Sequence, residues 1–599
     1  VGFAIFAAAA ALLAGVGAVA ARVFPPPRSR GDRAVFAGLL AVSVPIATVR
    51  LLSPFFAIGA LPVLAATFVL AAIALLVVGE NARRRLLRDA RAIVRLGAKG
   101  FVAGSAAPLA WIGLVALGLA AAAAWRYAPW AWDALGYHLP IVTDAIATHT
   151  LRTVPTNIPY INAYPRAVET FFVAFRALLP NDTWIDFAQV PFGVLACVAI
   201  AAFARRAGVP AARAVAFGIA FLAVPLVMLQ LATDYVDVAA ASLLAATVYF
   251  ATSPQLAPAD LVAWTLAAGL LLGSKPSMPP VVALLALLMA IRTARARGIG
   301  FAAAFTLASS AGILALGGAT YLTNLVAHGN PTWPIALDFG PLHLPGEDHA
   351  GPLMLQGLPP DLAQASWARR VLVSLFVEPR EYIYDMRLGG LGPLARWGLV
   401  PLAMIAAVRA PRRALPALLL GVCALATPAA HWMRYALAFP LALLALAPIA
   451  IGFARPKVRG AIDVALAALA VIGLVRALPG LRAGDGGVDG REALWDHVRA
   501  NVGPGESFAY DASFSLPGQL TCADGRAGAP VYLGAAASAD EVDRAITNGR
   551  ARVVVAGDTG VSREAVERAN GRYRLAFRCP LDPCDVFVRE RSEPFLSAQ

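Results

Sequence analysis

The chain has 599 residues, 59% of them hydrophobic and only 14% charged, with a mean hydropathy of +0.68. Soluble globular chains carry about 25% charged residues, so one large soluble enzyme is excluded, and 51 Gly and 44 Pro exclude a collagenous or low-complexity chain. The formal net charge of +14 leaves nucleic-acid binding and membrane orientation as competing explanations.

Taken in chain order, long apolar runs occupy 2–21, 34–52, 56–79, 101–124, 184–203, 212–231, 235–252, 300–320, 391–408, 433–452 and 461–478. Shorter runs at 259–273, 276–291 and 414–428 pair with neighbours. A transmembrane helix needs roughly 20 apolar residues, so the pattern predicts an α-helical polytopic membrane protein of about fourteen spans. The first run has no convincing small-residue cleavage site, and its basic flank follows rather than precedes it, which predicts a retained span. The segment 166–179 (RAVETFFVAFRALL) is short and carries Glu169 and Arg176, so it is expected to lie at the interface as an amphipathic helix.

Loops 22–33, 80–100, 204–213, 253–260, 292–299, 409–413 and 453–460 hold 23 basic residues and four acids. The alternating loops are balanced or acidic: 125–183 has four Arg and four acids, 321–390 four Arg and seven acids. The positive-inside bias puts the first set in the cytoplasm and the second set outside. The net basicity is then an orientation signal, and no nucleic-acid partner is expected. The expected location is a bacterial-type cytoplasmic membrane, with the bilayer itself as a partner.

After a Gly/Asp linker at 483–490 the texture changes. Short β-type runs (507–512, 530–534, 552–557, 573–579, 585–591) alternate with helical stretches such as 538–549 and 561–570. This predicts a small α/β domain with a partly parallel sheet. The chain therefore divides into N-terminal membrane helices (1–100), a membrane module (101–480) with outer loops 125–183 and 321–390, and an extracytoplasmic α/β domain (485–599). Cys522, Cys579 and Cys584 allow one disulfide, in any of three pairings.

Charged residues at a membrane edge are functional candidates. Trp125, Tyr127, Trp130 and Trp132 read as an aromatic belt. Asp133 follows at the water–lipid boundary, either as a helix N-cap or as a carboxylate able to deprotonate a hydroxyl. Tyr137 and His138 come one turn later and Glu169 lies further on, all three placed to line a substrate entrance. Asp234 and Asp237 share a helix face, able to orient an acceptor, pair with Arg434, or hold a divalent metal whose shell water or substrate would complete. Lys275 is one of only three Lys in a chain that otherwise uses Arg, and with Arg434 and His431 it supplies cations suited to a phosphate. His343, Glu347, Asp348 and His349 have metal-like composition within a Pro/Gly-containing loop.

Five segments then resemble, in order, those of GT-C membrane glycosyltransferases, near the branch of protein O-mannosyltransferases and lipid A aminoarabinose transferases. They are WDALGYHLP (132–140), TDYVDVAAASLLAATVYF (233–250), GSKPSMP (273–279), HGNPTWP (328–334) and HWMRYALAFP (431–440). The resemblance spans roughly 101–480, and the tail resembles outer domains carried by such enzymes. It implies a polyprenyl-phosphate-linked sugar as donor, a glycan, lipid or protein as acceptor, and Asp133 as the catalytic acid–base residue. Asp234 and Asp237 fill its second acidic site, with Lys275, Arg434 and His431 on the donor phosphate. Ala134 follows Asp133 where O-mannosyltransferases have a second acid, which argues against protein O-mannosylation. The expected reaction is an inverting glycosyl transfer at the outer face, with no certain cofactor. The alternative from another class is a transporter or flippase of lipid-linked sugars.

Overall fold

The computed structural model describes residues 29–77 and, apart from short gaps, 98–482; in the tail it describes chiefly 497–510, 531–532, 551–557, 573–578 and 584–589. The run 2–21, the linker 483–490 and the pairing of Cys522, Cys579 and Cys584 lie outside the described residues.

Two helices form the centre. Every residue of α10 (Asp237–Ala251) is buried, and α20 (Ala438–Ile451) is buried along nearly its whole length. A helix apolar all round belongs in an interior, and these two are enclosed by α1 (Arg30–Leu52), α7 (Val190–Arg206), α8 (Ala211–Ile219), α11 (Pro258–Leu272) and α19 (Pro411–Leu425). The periphery is formed by α3 (Ala107–Arg126), α12 (Pro279–Arg297), α13 (Ile299–Gly317) and α21 (Pro456–Leu481). Their exposed faces carry large apolar residues such as Leu287, Leu307 and Val475. Apolar helices exposed in this way are at home in lipid, where each satisfies its own backbone hydrogen bonds.

Among the described residues six helices are long and apolar enough to cross a membrane, and five more apolar helices are shorter. Several of the expected spans are interrupted. The run 212–231 is α8, a 3-10 turn (Ala220–Ala223) and α9 (Pro225–Gln230), broken where Val224 turns extended ahead of Pro225. The Leu226 N–H then leaves the helix pattern to bond Gly390 C=O at 3.2 Å.

At the N-terminus of α1, Ser29 and Asp32 form a reciprocal capping box. The same Asp32 carboxylate accepts from Tyr249 Oη at 2.5 Å and Arg206 Nη2 at 3.1 Å, fastening α1 to α10 and α7.

The segment expected at the interface is instead interior. Helix α6 (Ala167–Ala177) is buried on all sides except at Arg176, against α1 and against α4 (Leu139–Thr148). Its polar face is buried too: Glu169 and Thr170 are each 2% exposed. The physical reason is an internal partner for one oxygen of the carboxylate, described below.

Among the described residues there are also two small sheets. In the loop 321–390, β1 (Ile335–Phe339) pairs antiparallel with β2 (Leu342–Leu344) and parallel with β3 (Asp348–His349). In the tail, β4 (Ser507–Tyr510), β5 (Val531–Tyr532), β6 (Ala551–Gly557), β7 (Tyr573–Arg578) and β8 (Cys584–Arg589) form a sheet of order β5-β4-β6-β8-β7. Its β5-β4-β6 part is parallel and the rest antiparallel.

Candidate active site

The site is built where four separate segments meet at one end of α10 and α20. The first is the turn after α3. Asp133 stands at the N-cap of a π-turn (Ala134–His138), yet its side chain does not cap it. Its backbone N–H donates to Tyr235 Oη at 3.0 Å, and the Trp132 N–H donates to Tyr384 Oη at 3.1 Å. The carboxylate is thereby turned away from the helix end, and its Oδ2 accepts a 2.6 Å hydrogen bond from Arg434 Nη1.

The second segment is the start of α10. Gln189, fully buried, donates to the carbonyls of Gln230 (2.8 Å) and Thr233 (3.1 Å) and accepts from the Val238 N–H (3.1 Å). These bonds fix the turn from α9 into α10 and set Asp237 in the first helical turn. Asp237 Oδ1 accepts from Lys275 Nζ, and its Oδ2 lies 3.9 Å from Arg434 Nη1.

The third segment carries Lys275 on the turn after α11. Close helix crossing sets its position: a Cβ on Gly317 would meet Gly269 O at 2.0 Å. The Ala167 N–H donates to Gly273 C=O at 2.9 Å, and Tyr321 Oη donates to the carbonyls of Leu272 (3.1 Å) and Lys275 (3.3 Å). The Lys275 ammonium lies 3.4 Å from the Tyr435 ring centroid, a cation–π contact that accompanies its ion pair.

The fourth segment is the 3-10 turn Met433–Ala436 ahead of α20, which presents Arg434. The guanidinium also packs on the rings of Tyr235 and Tyr435, at 5.1 and 4.9 Å. Its Nε lies 3.0 Å from Asp385 Oδ1. Asp385 belongs to the loop between α17 (Trp367–Phe376) and α18 (Val400–Arg409), and no sequence pattern singled it out. The only hint was the excess of acids in the loop 321–390. Beside these groups lies a small cavity, walled by Ala240, Ala241 and Leu244 and rimmed by Asp237, Lys275 and Arg434.

The structure thus brings together Asp133, Asp237, Lys275 and Arg434. Asp234 is fully buried in the turn before α10, and the contacts that build the cluster run through Asp237. His431 does not join them. It is buried, its Nε2 lies 2.9 Å from Met354 O, and its own carbonyl accepts from Ser374 Oγ. It anchors the outer loop, and burial lowers its pKa.

Tyr137 packs edge-on against Tyr164, with ring centroids 5.5 Å apart. His138 Nδ1 and Glu169 Oε1 share a 2.7 Å hydrogen bond and both residues are 2% exposed, so Glu169 braces the π-turn rather than lining an opening. Trp125 and Trp132 are exposed, whereas Trp130 stacks edge-on against Tyr384 at 4.6 Å.

The metal-like segment 343–349 is divided among other partners. His343 pairs with Asp338 at 2.6 Å, and Asp348 accepts from Tyr160 Oη. Among the described residues no group of three or more His, Cys, Asp or Glu is arranged to hold a metal. Both Asp237 oxygens face cations.

No family profile matches the chain, and no curated protein matches it. Solved structures do. The crystal structure of ArnT from Cupriavidus metallidurans bound to undecaprenyl phosphate superposes with a TM-score of 0.53 at 16% identity, covering 80% of this chain and 97% of that one. The apo-state structure of the same protein gives a TM-score of 0.52 at 14% identity, with the same coverage. With six described helices long and apolar enough to cross a membrane, the chain is a multi-pass membrane protein that shares its fold with ArnT over four fifths of its length.

Proposed function

We propose that the chain is a membrane glycosyltransferase that moves a sugar from a polyprenyl-phosphate donor to a hydroxyl of a glycan, lipid or protein acceptor at the outer membrane face. The observation that carries this reading is the meeting of Lys275 and Arg434 with Asp133 beside an apolar-walled cavity. Lys275 and Arg434 neutralise the phosphate as charge builds on it, which is the chief need of a leaving group that departs as an anion. Arg434 holds Asp133 by Oδ2, which leaves Oδ1 to take the acceptor proton. The acceptor oxygen attacks the anomeric carbon from the side opposite the phosphate. The new C–O bond forms as the sugar–phosphate C–O bond breaks, its electron pair goes to the phosphate oxygen, and the configuration inverts. Asp237 holds Lys275 in place. The structure of ArnT with undecaprenyl phosphate supports such a lipid as ligand. No specific observation favours a flippase over transfer.

The test compares binding of undecaprenyl phosphate and undecaprenol to the purified full chain in nanodiscs. The phosphate-bearing lipid binds, undecaprenol does not, and Lys275→Met weakens the former at least about tenfold. Equal binding of both lipids, or indifference to Lys275→Met, overturns the reading.

A further inference from the structure

The charges around Arg434 leave no ready place for an anion. Two cations, Lys275 and Arg434, face three carboxylates, Asp133, Asp237 and Asp385. A phosphate adds negative charge to a cluster in which both cations already face carboxylates, and repulsion between like charges is strong away from bulk water. One carboxylate has to withdraw from Arg434 for the phosphate to dock.

Asp133 is held by a 2.6 Å hydrogen bond and by its own backbone, and Asp237 is committed to Lys275 from within α10. Asp385 differs. It sits in a loop, and its side chain is 20% exposed against 15% for Asp133 and 2% for Asp237. At 3.0 Å its Oδ1 and Arg434 Nε form an ion pair without the alignment of a hydrogen bond. Its other oxygen, Oδ2, already lies 3.6 Å from Arg387 Nη2. Arg387 is itself fixed, 4.4 Å over the Trp432 ring and donating to Gln356 C=O at 2.9 Å. The loop backbone is pinned as well: Gln230 Nε2 donates to Tyr384 C=O at 2.6 Å, and the Gly389 N–H donates to Ser374 Oγ at 3.0 Å. What is left to move is the Asp385 side chain, between two cations.

We propose that Asp385 is a displaceable counter-ion of the donor site, neutralising Arg434 between donors and turning onto Arg387 when a lipid-linked phosphate docks on Lys275 and Arg434. Asp385 thereby sets donor affinity without touching the sugar. This rests on the donor-phosphate reading above.

The experiment measures undecaprenyl phosphate binding to the full chain in nanodiscs at low salt, with thermal stability confirming folding. Asp385→Asn binds about tenfold more tightly than wild type, and Asp385→Glu, which keeps the charge, stays close to wild type. Arg387→Gln weakens binding, but much less when combined with Asp385→Asn, because the second resting place matters only while there is a carboxylate to receive. Unchanged or weaker binding by Asp385→Asn, with binding still lost in Lys275→Met, overturns the counter-ion role alone. Absence of binding by wild type overturns the donor reading and this proposal with it.

Discussion

Arg434 and Asp133 are 301 residues apart in sequence, yet Nη1 of one lies 2.6 Å from Oδ2 of the other. The same guanidinium pairs with Asp385 at 3.0 Å and approaches Asp237 at 3.9 Å. A planar fork with several donors suits this task, whereas an ammonium is a single point charge. Arg434→Lys is therefore expected to fold and to lower sugar transfer by about 100-fold or more, measured as turnover of an undecaprenyl-phosphate-linked sugar in nanodiscs. Turnover within a few-fold of wild type would show that the fork is not used.

Gly317→Ala is expected to act at a distance from the cluster. Its methyl group would fall 2.0 Å from Gly269 O and 2.5 Å from Gly273 N, both backbone atoms that have no rotamer to change. The helices α11 and α13 must separate, at a cost of about 1–3 kcal/mol, and the Lys275 turn moves with them. A lowered melting temperature together with weaker undecaprenyl phosphate binding checks both halves of this expectation. A neutral result in both would mean that the crossing relaxes freely.

The His138–Glu169 pair is a brace. Removing the carboxylate in Glu169→Ala strands a buried ring nitrogen and costs about 1–3 kcal/mol, whereas Glu169→Gln retains an acceptor oxygen and stays nearer to wild type. Thermal unfolding of the two variants in the same detergent separates these outcomes. Equal loss in both would point to packing or charge rather than the hydrogen bond.

His431 gives a pH dependence. Burial, aided by the nearby Arg370 charge, holds its folded pKa below the ordinary histidine value. The unfolded chain then binds the proton more readily, so this contribution to stability is complete above the ordinary pKa and is lost as pH falls from there through the folded value. His431→Gln is expected to flatten the decline in melting temperature between about pH 7 and pH 5. An unchanged slope would assign the decline to other groups.

What was legible in the sequence followed from periodicity and from charge scarcity. Apolar runs marked most helices, and the five tail runs fall on the strands β4 to β8. In a chain with so little charge, Lys275 and Arg434 stood out and do meet in space around Asp237. What was not legible depends on partners distant in sequence. The helix α6 reads as amphipathic until His138 is seen to pair with Glu169 inside the bundle. His431 shares its segment with Arg434, but the turn at Met433–Ala436 sends the two side chains to different partners. Gln189 and Asp385 carry no motif at all; only the folded turn around Gln230 shows why each is there.

The most direct test of the central claim is to measure binding and transfer on the same preparation of Asp133→Asn. If Asp133 is the base and Lys275 with Arg434 holds the donor, the variant binds undecaprenyl phosphate at least as well as wild type. Its single-turnover transfer from an undecaprenyl-phosphate-linked sugar is lowered by about 100-fold or more. Transfer at the wild-type rate, with binding intact, would contradict the account.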